Sequence, residues 1–286
     1  MNITLRQLEI FAAIALHGHV GKAAETLGIS QSAASMALSD FEKVLGELLF
    51  DRVSRSLLLN ERGRVLLPRA IAVLEQVRAI EEETKGGAGS GRIRVGASTT
   101  IGNYLLPGIL GSFAVAEPGI AVSLEVANTS EIAARLAAHA IDVALVEGPV
   151  NGSEIVATFW RKDELVPFAG PRMAAPSADT MEWIMREPGS GTREVFERAM
   201  ADAALPVRVR MELGHTEAIK KAVEAGLGFG CLSRLAVERE LALGYLVPFS
   251  MPGTDFHRDL SILLLRNKYL TAPLSRFLAF CRNPDQ

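Results

Sequence analysis

Cysteine is almost missing from this chain. Its 286 residues hold two, Cys231 and Cys281, at a spacing that fits neither a redox pair nor half of a zinc site. A disulfide scaffold is therefore excluded, and two buried, reduced thiols are expected. The five histidines, at 17, 19, 139, 215 and 257, are scattered, with only His17 and His19 close together, so no metal site is expected. Long apolar runs are missing too. No window reaches the ~18 apolar residues of a membrane span, and "MNITLRQLEIFAAIAL" is broken by Arg6, Gln7 and Glu9 where a signal peptide is continuously apolar. A cytoplasmic protein with no membrane partner is the expectation. Nucleophile and phosphate-loop signatures are lacking: no G-x-S-x-G, no Walker A, and "GLGFG" at 226–230 without the third glycine of a dinucleotide fold. Neither enzymatic activity nor a cofactor is expected.

Apolar residues, by contrast, make up 49% of the chain. That suffices to fill the two or more cores expected once a chain exceeds ~200 residues. The net charge of −3 conceals a local excess: from Arg52 to Arg69 there are five arginines (52, 55, 62, 64, 69) against Glu61 alone, whereas residues 81–83 read "EEE". Positive charge so concentrated suits a phosphate backbone. "KGGAGSG", 85–91, marks the main boundary. Before it, helical periodicity covers 5–16, 20–27 and 31–45, then a hairpin-like "LLFDRVSRSLLL" and a helix from about 61 to 84. After it, "IRVGA", "LPGILGSFAVA", "AVSLEVA", "SEIAARLAAH" and "DVALVE" alternate strand and helix, as parallel βαβ units do.

"AAETLGISQSAAS", 23–35, offers small side chains where an ordinary core helix carries Leu or Ile. With Gly28 at a turn, Val20–Leu27 forms one short helix and Ser30 caps a second. Ala24 then sits at the crossing, Leu27 and Ile29 seal the small core, and the result is a helix-turn-helix. The second helix presents Gln31, Ser32, Ser35 and Met36 without aliphatic bulk, so its backbone can lie deep in a major groove. The hairpin bearing Arg52 and Arg55 follows as a wing beside the same groove.

"LRQLEIFAAIALHG", "KAAETLGISQSAASMALSDFEKVLGELLFDR" and "LNERGRVLLPRA" resemble the N-terminal domain of the LysR-type transcriptional regulators, and "IRVGASTTIGNYLLPGIL", "DVALVEGP", "REPGSGTRE" and "EAIKKAVEAGLGFGCLS" resemble their effector-binding domain. Coverage is almost end to end. The resemblance implies a multidomain chain: an all-α-type winged helix-turn-helix at 1–61, a dimerising linker helix and Gly-rich hinge at 62–91, and an α/β periplasmic-binding-protein-like effector domain at 92–286. Subdomain I would take about 92–164 and 266–286, subdomain II about 165–265. It also implies a homodimer or homotetramer that binds double-stranded promoter DNA and answers to a small metabolite held between the subdomains. The chain departs from the family pattern at His19, Val20 and Gly21, at Met36 in place of an arginine, and in a short stretch at 170–181. A bilobed binding protein or transferase, fused to a helical domain that only dimerises, is the alternative.

Three groups of site residues follow. DNA contacts are expected from Ser30, Gln31, Ser32, Ser35, Met36, Arg52 and Arg55. Leu66, Ala70, Val73, Val77 and Ile80 recur at 4-3-4-3 spacing, a seam suited to pairing with a second copy. In the effector half, Ser98, Thr99 and Thr100 follow a strand and open a helix running through Leu110, and Asn128 and Thr129 repeat that arrangement after the next strand. Open α/β sheets bind ligands at that edge, and hydroxyls with helix-terminal N–H groups stabilise anions there. Glu147 closes "DVALVEGP" beside them; His215 and Thr216 open a later helix expected to face the same cleft. "PGSGTR" reads as a turn with Ser190 or Thr192 as its cap. The expected ligand is a small anion (a sulfur oxyanion, then a small carboxylate or phosphate ester), with a neutral ligand hydrogen-bonded to His215, or simple capping by Thr216, as the alternatives. Sulfur oxyanions come first, since "REPGSGTRE" and "ELGHTEAIKKAV" resemble a subgroup of sulfur- and carbon-assimilation regulators. Ser98→Ala with Thr100→Val is expected to abolish its binding at little cost in stability.

Overall fold

The computed structural model describes residues 2–53, 56–86, 90–150, 152–173 and 180–282. The chain divides into two compact units, one running to Gly91 with Asn267–Ser275, the other Arg92–Arg266 with the segment from Arg276 onward.

In the first unit, α1 (Leu5–His17) begins with a capping box between Thr4 and Gln7. Then come α2 (Val20–Thr26) and α3 (Gln31–Leu45), followed by the antiparallel strands β1 (Phe50–Val53) and β2 (Ser56–Leu59) and the long α4 (Glu61–Gly86). Between α2 and α3 the chain turns at Gly28, whose φ of +64° lies in the left-handed region that glycine enters without strain. Ser30 Oγ accepts the Ala33 N–H at 3.2 Å and so caps α3. The alanines explain the tight crossing: Ala23, Ala24 and Ala34 are buried where α2 meets α3, around Phe11, Ile14 and Phe41. Gly63 matters for a different reason. A Cβ there would lie 2.2 Å from Leu49 O, so only glycine lets α4 approach this closely.

The second unit is bilobed. Its first lobe contains β3 (Gly91–Ser98), α5 (Thr99–Tyr104), α6 (Leu106–Ala116), β4 (Ile120–Ala127), α7 (Thr129–Ala137) and β5 (Val143–Glu147). The single helix expected through Leu110 is two helices. Pro107, at the start of α6, has no N–H to donate to the preceding turn, and the chain breaks at Leu105. Then β6 (Ile155–Ala169) runs from this lobe into the second, which adds β7 (Glu182–Met185), α8 (Gly191–Asp202), β8 (Arg208–Glu212), α9 (Thr216–Glu224), β9 (Gly230–Ser233), α10 (Arg234–Ala242) and β10 (Val247–Pro248). β11 (His257–Leu265) returns, and α11 (Ala272–Arg282) follows.

Expected parallel pairing holds for β3 with β5 and for β7 with β8, while β11 lies antiparallel between β5 and β6. That pairing moves the return boundary. Leu260–Leu263 hydrogen-bond to Ala144–Glu147 of the first lobe, so β11 belongs largely to subdomain I and the crossing falls near 257–260, not at 265. An antiparallel partner of β6 must cross where β6 crosses, and a sequence pattern carries no record of that pairing.

Candidate effector site and nucleic-acid interface

The loops that end β3, β4 and β5 meet at one buried point. Ser98 and Thr100 both donate to the Glu147 carboxylate, Thr100 at 3.1 Å to Oε1. The Glu147 N–H donates to Ser98 Oγ at 3.2 Å, and Thr129 Oγ1 donates to the Glu147 carbonyl at 2.9 Å. All four side chains are at least 96% buried, with Ser98 wholly so. Expectation and structure thus agree on which residues gather here and differ on what they do: the Ser98 and Thr100 hydroxyls are engaged by a protein carboxylate.

Two arginines complete the cluster, and the sequence reading missed both. Arg258 on β11 is buried and pairs with Asp163, its cross-strand partner on β6, at 2.7 Å. It also donates to Thr100 at 3.2 Å and to Thr192 on α8 at 2.9 Å, so one guanidinium touches both lobes; Ser233 donates to the other Asp163 oxygen. Arg186 at the end of β7 holds Glu187 with two bonds of 2.7 Å and donates to Thr99 at 3.2 Å. Burial pushes the Glu187 carboxyl up, but the Arg186 fork outweighs it and holds the group below the usual carboxylate range. Arg258 lies within a strand and carries no motif, so only the pairing of β11 with β6 could have exposed it, and Arg186 opens "REPGSGTRE" with nothing along the chain to show what it meets.

The second lobe approaches through the turn before α8. A Cβ on Gly191 would lie 2.0 Å from Glu147 O and 2.8 Å from Thr129 Oγ1, and Gly189 O accepts the Ser130 N–H at 3.1 Å. Helix α7 is capped there, with Asn128 Oδ1 accepting the Glu131 N–H at 2.9 Å. Helix α8 is not. Ser190 occupies its N-cap position, yet its hydroxyl makes no cap bond and, though buried, has no hydrogen-bond partner among the described residues. The expected role of Ser190 as a cap is therefore not realised, and Thr192 serves Arg258. His215 departs further from expectation. It is exposed and makes no side-chain cap bond at α9, whereas Thr216 is buried. That end of α9 meets α5 at Tyr104, whose hydroxyl donates to Glu217 at 3.1 Å.

In the first unit Gln31, Ser32, Ser35 and Met36 share one exposed face of α3, opposite the buried Ala34, Leu38 and Phe41. Ser30 combines capping with a 3.0 Å contact to Ser32. Arg52 lies in β1 opposite Leu57, though its side chain, like Arg55 and residues 87–89 of the Gly-rich stretch, is outside what the structure describes. On α4 the expected seam divides. Leu66 and Ala70 pack into their own unit's core beside the buried Leu74, which corrects their assignment to dimerisation, while Val77 is half-buried and Val73 and Ile80 are exposed. Heptad spacing alone cannot tell which partner a stripe meets, and α1 is the nearer one.

A helix-turn-helix with a wing, joined to a bilobed α/β unit whose lobes meet over buried polar groups, defines a ligand-responsive DNA-binding regulator. Comparison with known proteins agrees. Residues 5–64 match the model of the bacterial regulatory helix-turn-helix protein, lysR family, and residues 86–284 that of the LysR substrate binding domain. The chain belongs to the LysR family of transcriptional regulators. It is 42% identical to the uncharacterized HTH-type transcriptional regulator YeiE of Escherichia coli over 98% of both chains. Identity to the RuBisCO operon transcriptional regulator of Allochromatium vinosum is 31%, over 98% of this chain and 96% of that one. Among solved structures, the CcmR regulatory domain of Synechocystis in complex with 2-PG aligns at 29% identity and TM-score 0.64, covering 69% of this chain and 98% of that one. Full-length OxyR from Pseudomonas aeruginosa aligns with TM-score 0.72 over 99% of this chain and 94% of that one, and at 22% identity shows the fold alone. The protein is a DNA-binding regulator modulated by a small molecule, and its family consists of regulators rather than enzymes. Among the described residues no helix is long and apolar enough to cross a membrane.

Proposed function

We propose that the effector is a small oxyanion bound between the lobes, against Ser98, Thr100, Thr129 and Glu147 on one side and Ser190 with the first N–H groups of α8 on the other. The observation that carries this reading is Ser190: a buried hydroxyl without a partner, at the start of a 12-residue helix whose neighbour α7 is capped. A helix leaves its first N–H groups without intrahelical partners, and its N-terminus favours negative charge. The relative that binds 2-PG supports an acidic ligand, and the RuBisCO regulators support the sulfur- and carbon-assimilation subgroup. Sulfur oxyanions are the first candidates. On the DNA side, Gln31, Ser32, Ser35 and Met36 read the groove, Arg52 and Arg55 hold the backbone, and the exposed part of the α4 stripe pairs two copies.

Ser190→Ala tests the effector site. Removing an unpartnered buried hydroxyl costs the free protein nothing in hydrogen bonding, so its melting temperature should stay at or slightly above the parent value. A ligand at about 100 times its dissociation constant adds about 2.7 kcal/mol of stability to the parent, and most of that gain should vanish in the variant. Thermal-shift titrations with sodium sulfite, sodium phosphate and 2-PG measure both. Equal ligand-induced shifts in parent and variant would remove Ser190 from the site.

A further inference from the structure

We infer that Glu147 makes the effector site select an oxyanion that still carries a proton, so that the ligand donates a hydrogen bond to this carboxylate. The inference rests on the proposed anion site and specifies the chemistry of what enters it. The three carboxylates near the lobe junction are unequal: Glu147 and Asp163 are buried and Glu187 is partly exposed. Asp163 is paired with Arg258 and Glu187 with Arg186, both at 2.7 Å. Glu147, 1% exposed, has no cation within ion-pairing distance among the described residues and is met by the hydroxyls of Ser98 and Thr100. Each guanidinium already faces a carboxylate, whereas the Glu147 oxygens are met only by hydroxyl donors among the described residues and so act as acceptors. A fully deprotonated tetrahedral anion brought against it would set acceptor against acceptor in a buried region. An anion with an O–H has one hydrogen to give. Its remaining oxygens meet Ser190 and the α8 N–H groups, and its hydroxyl meets Glu147. The site thus offers donors on the second lobe and an acceptor on the first, which is the complement of a monoprotonated oxyanion.

Sulfate and phosphate separate these cases, since both are tetrahedral with four oxygens, and at pH 7 phosphate carries at least one proton whereas sulfate carries none. Sulfite, partly protonated under the same conditions, is the sulfur counterpart. Calorimetric titration of the full chain with the sodium salts at constant ionic strength gives the three dissociation constants. Phosphate or sulfite should bind at least about 100-fold more tightly than sulfate, because only an anion with an O–H can hydrogen-bond to the Glu147 carboxylate while sulfate sets acceptor against acceptor. Glu147→Gln presents an amide that can donate to any oxyanion, so sulfate should gain affinity and the ratio should fall below about 10-fold. Glu147→Asp keeps the acceptor and should keep the ratio above that. Sulfate binding as tightly as phosphate and sulfite in the parent overturns the role of Glu147 while leaving an anion site in place, as does an unchanged ratio in a folded Glu147→Gln protein. If none of the three anions binds the parent, the anion reading itself fails and this inference falls with it.

Discussion

At the scale of single residues, the site is an arrangement of mutual hydrogen bonds rather than a set of waiting donors. Ser98 and Thr100 satisfy the buried Glu147 carboxylate, and hydrogen bonds to a charged group contribute about 1.5–3 kcal/mol each. Ser98→Ala with Thr100→Val therefore removes structural bonds along with the proposed ligand contacts, and the small stability cost expected from the sequence alone no longer follows. Arg258 is a sharper case. Its partner Asp163 is 8% exposed and, among the described residues, accepts side-chain hydrogen bonds from Arg258 and Ser233. Arg258→Met strands that carboxylate in the interior and should destabilise the effector unit by about 3–5 kcal/mol, and adding Asp163→Asn should recover part of the loss. Fluorescence-detected thermal unfolding reports on this unit alone, because both tryptophans, Trp160 and Trp183, lie within it. A single variant as stable as the parent would show that the pair contributes nothing net. The thiols are inert at this scale: burial pushes Cys281 up to about 12 and raises Cys231 further still.

At the scale of elements, the two faces of α3 differ sharply, which is what the proposed reading surface requires. Ala34, Leu38 and Phe41 anchor it, leaving Gln31, Ser32, Ser35 and Met36 outside. Met36, 65% exposed, places an uncharged thioether on that face, and under the proposed reading Gln31 is the side chain there best suited to pair with a base edge. Gln31→Ala should weaken binding to the specific operator by about 1–3 kcal/mol while leaving random DNA nearly unaffected. Gel retardation on both DNAs checks this, and an equal loss on both would make Gln31 a backbone contact. The motif's geometry was readable beforehand, from Gly28 as the left-handed turn and Ser30 as the cap, since both are local requirements.

At the scale of the whole molecule, assembly turns on the two faces of α4. The stripe on α4 divides: Ala70, 2% exposed, and Leu74 close the unit's own core, whereas Val73 is 41% exposed and available to the proposed pairing of two copies. Val73→Glu should therefore leave the helical unit folded yet reduce the oligomer to smaller species, because it sets like charges against each other across a two-fold contact. Ala70→Glu should instead unfold the unit. Sedimentation velocity with far-ultraviolet circular dichroism distinguishes the two, and a Val73→Glu protein of full size would place assembly in the effector units.

What the sequence determined by itself was everything set by near neighbours: the helix-turn-helix, the caps at Ser30 and Asn128, the boundary near the Gly-rich stretch, and the strand ends that bring Ser98 and Thr129 to one edge. Capping, turn conformation and hydrophobic period act over a few residues, so their signal is local. Tertiary structure alone decided the rest. Whether Leu66 faces α1 or a second copy, whether Ser190 caps α8, and which carboxylate Arg258 meets 95 positions away all depend on what packs opposite. Long-range pairing also decided that the Ser98 and Thr100 hydroxyls point at Glu147. A buried charge draws whatever donors the fold brings within reach, and no pattern along the chain states which those will be.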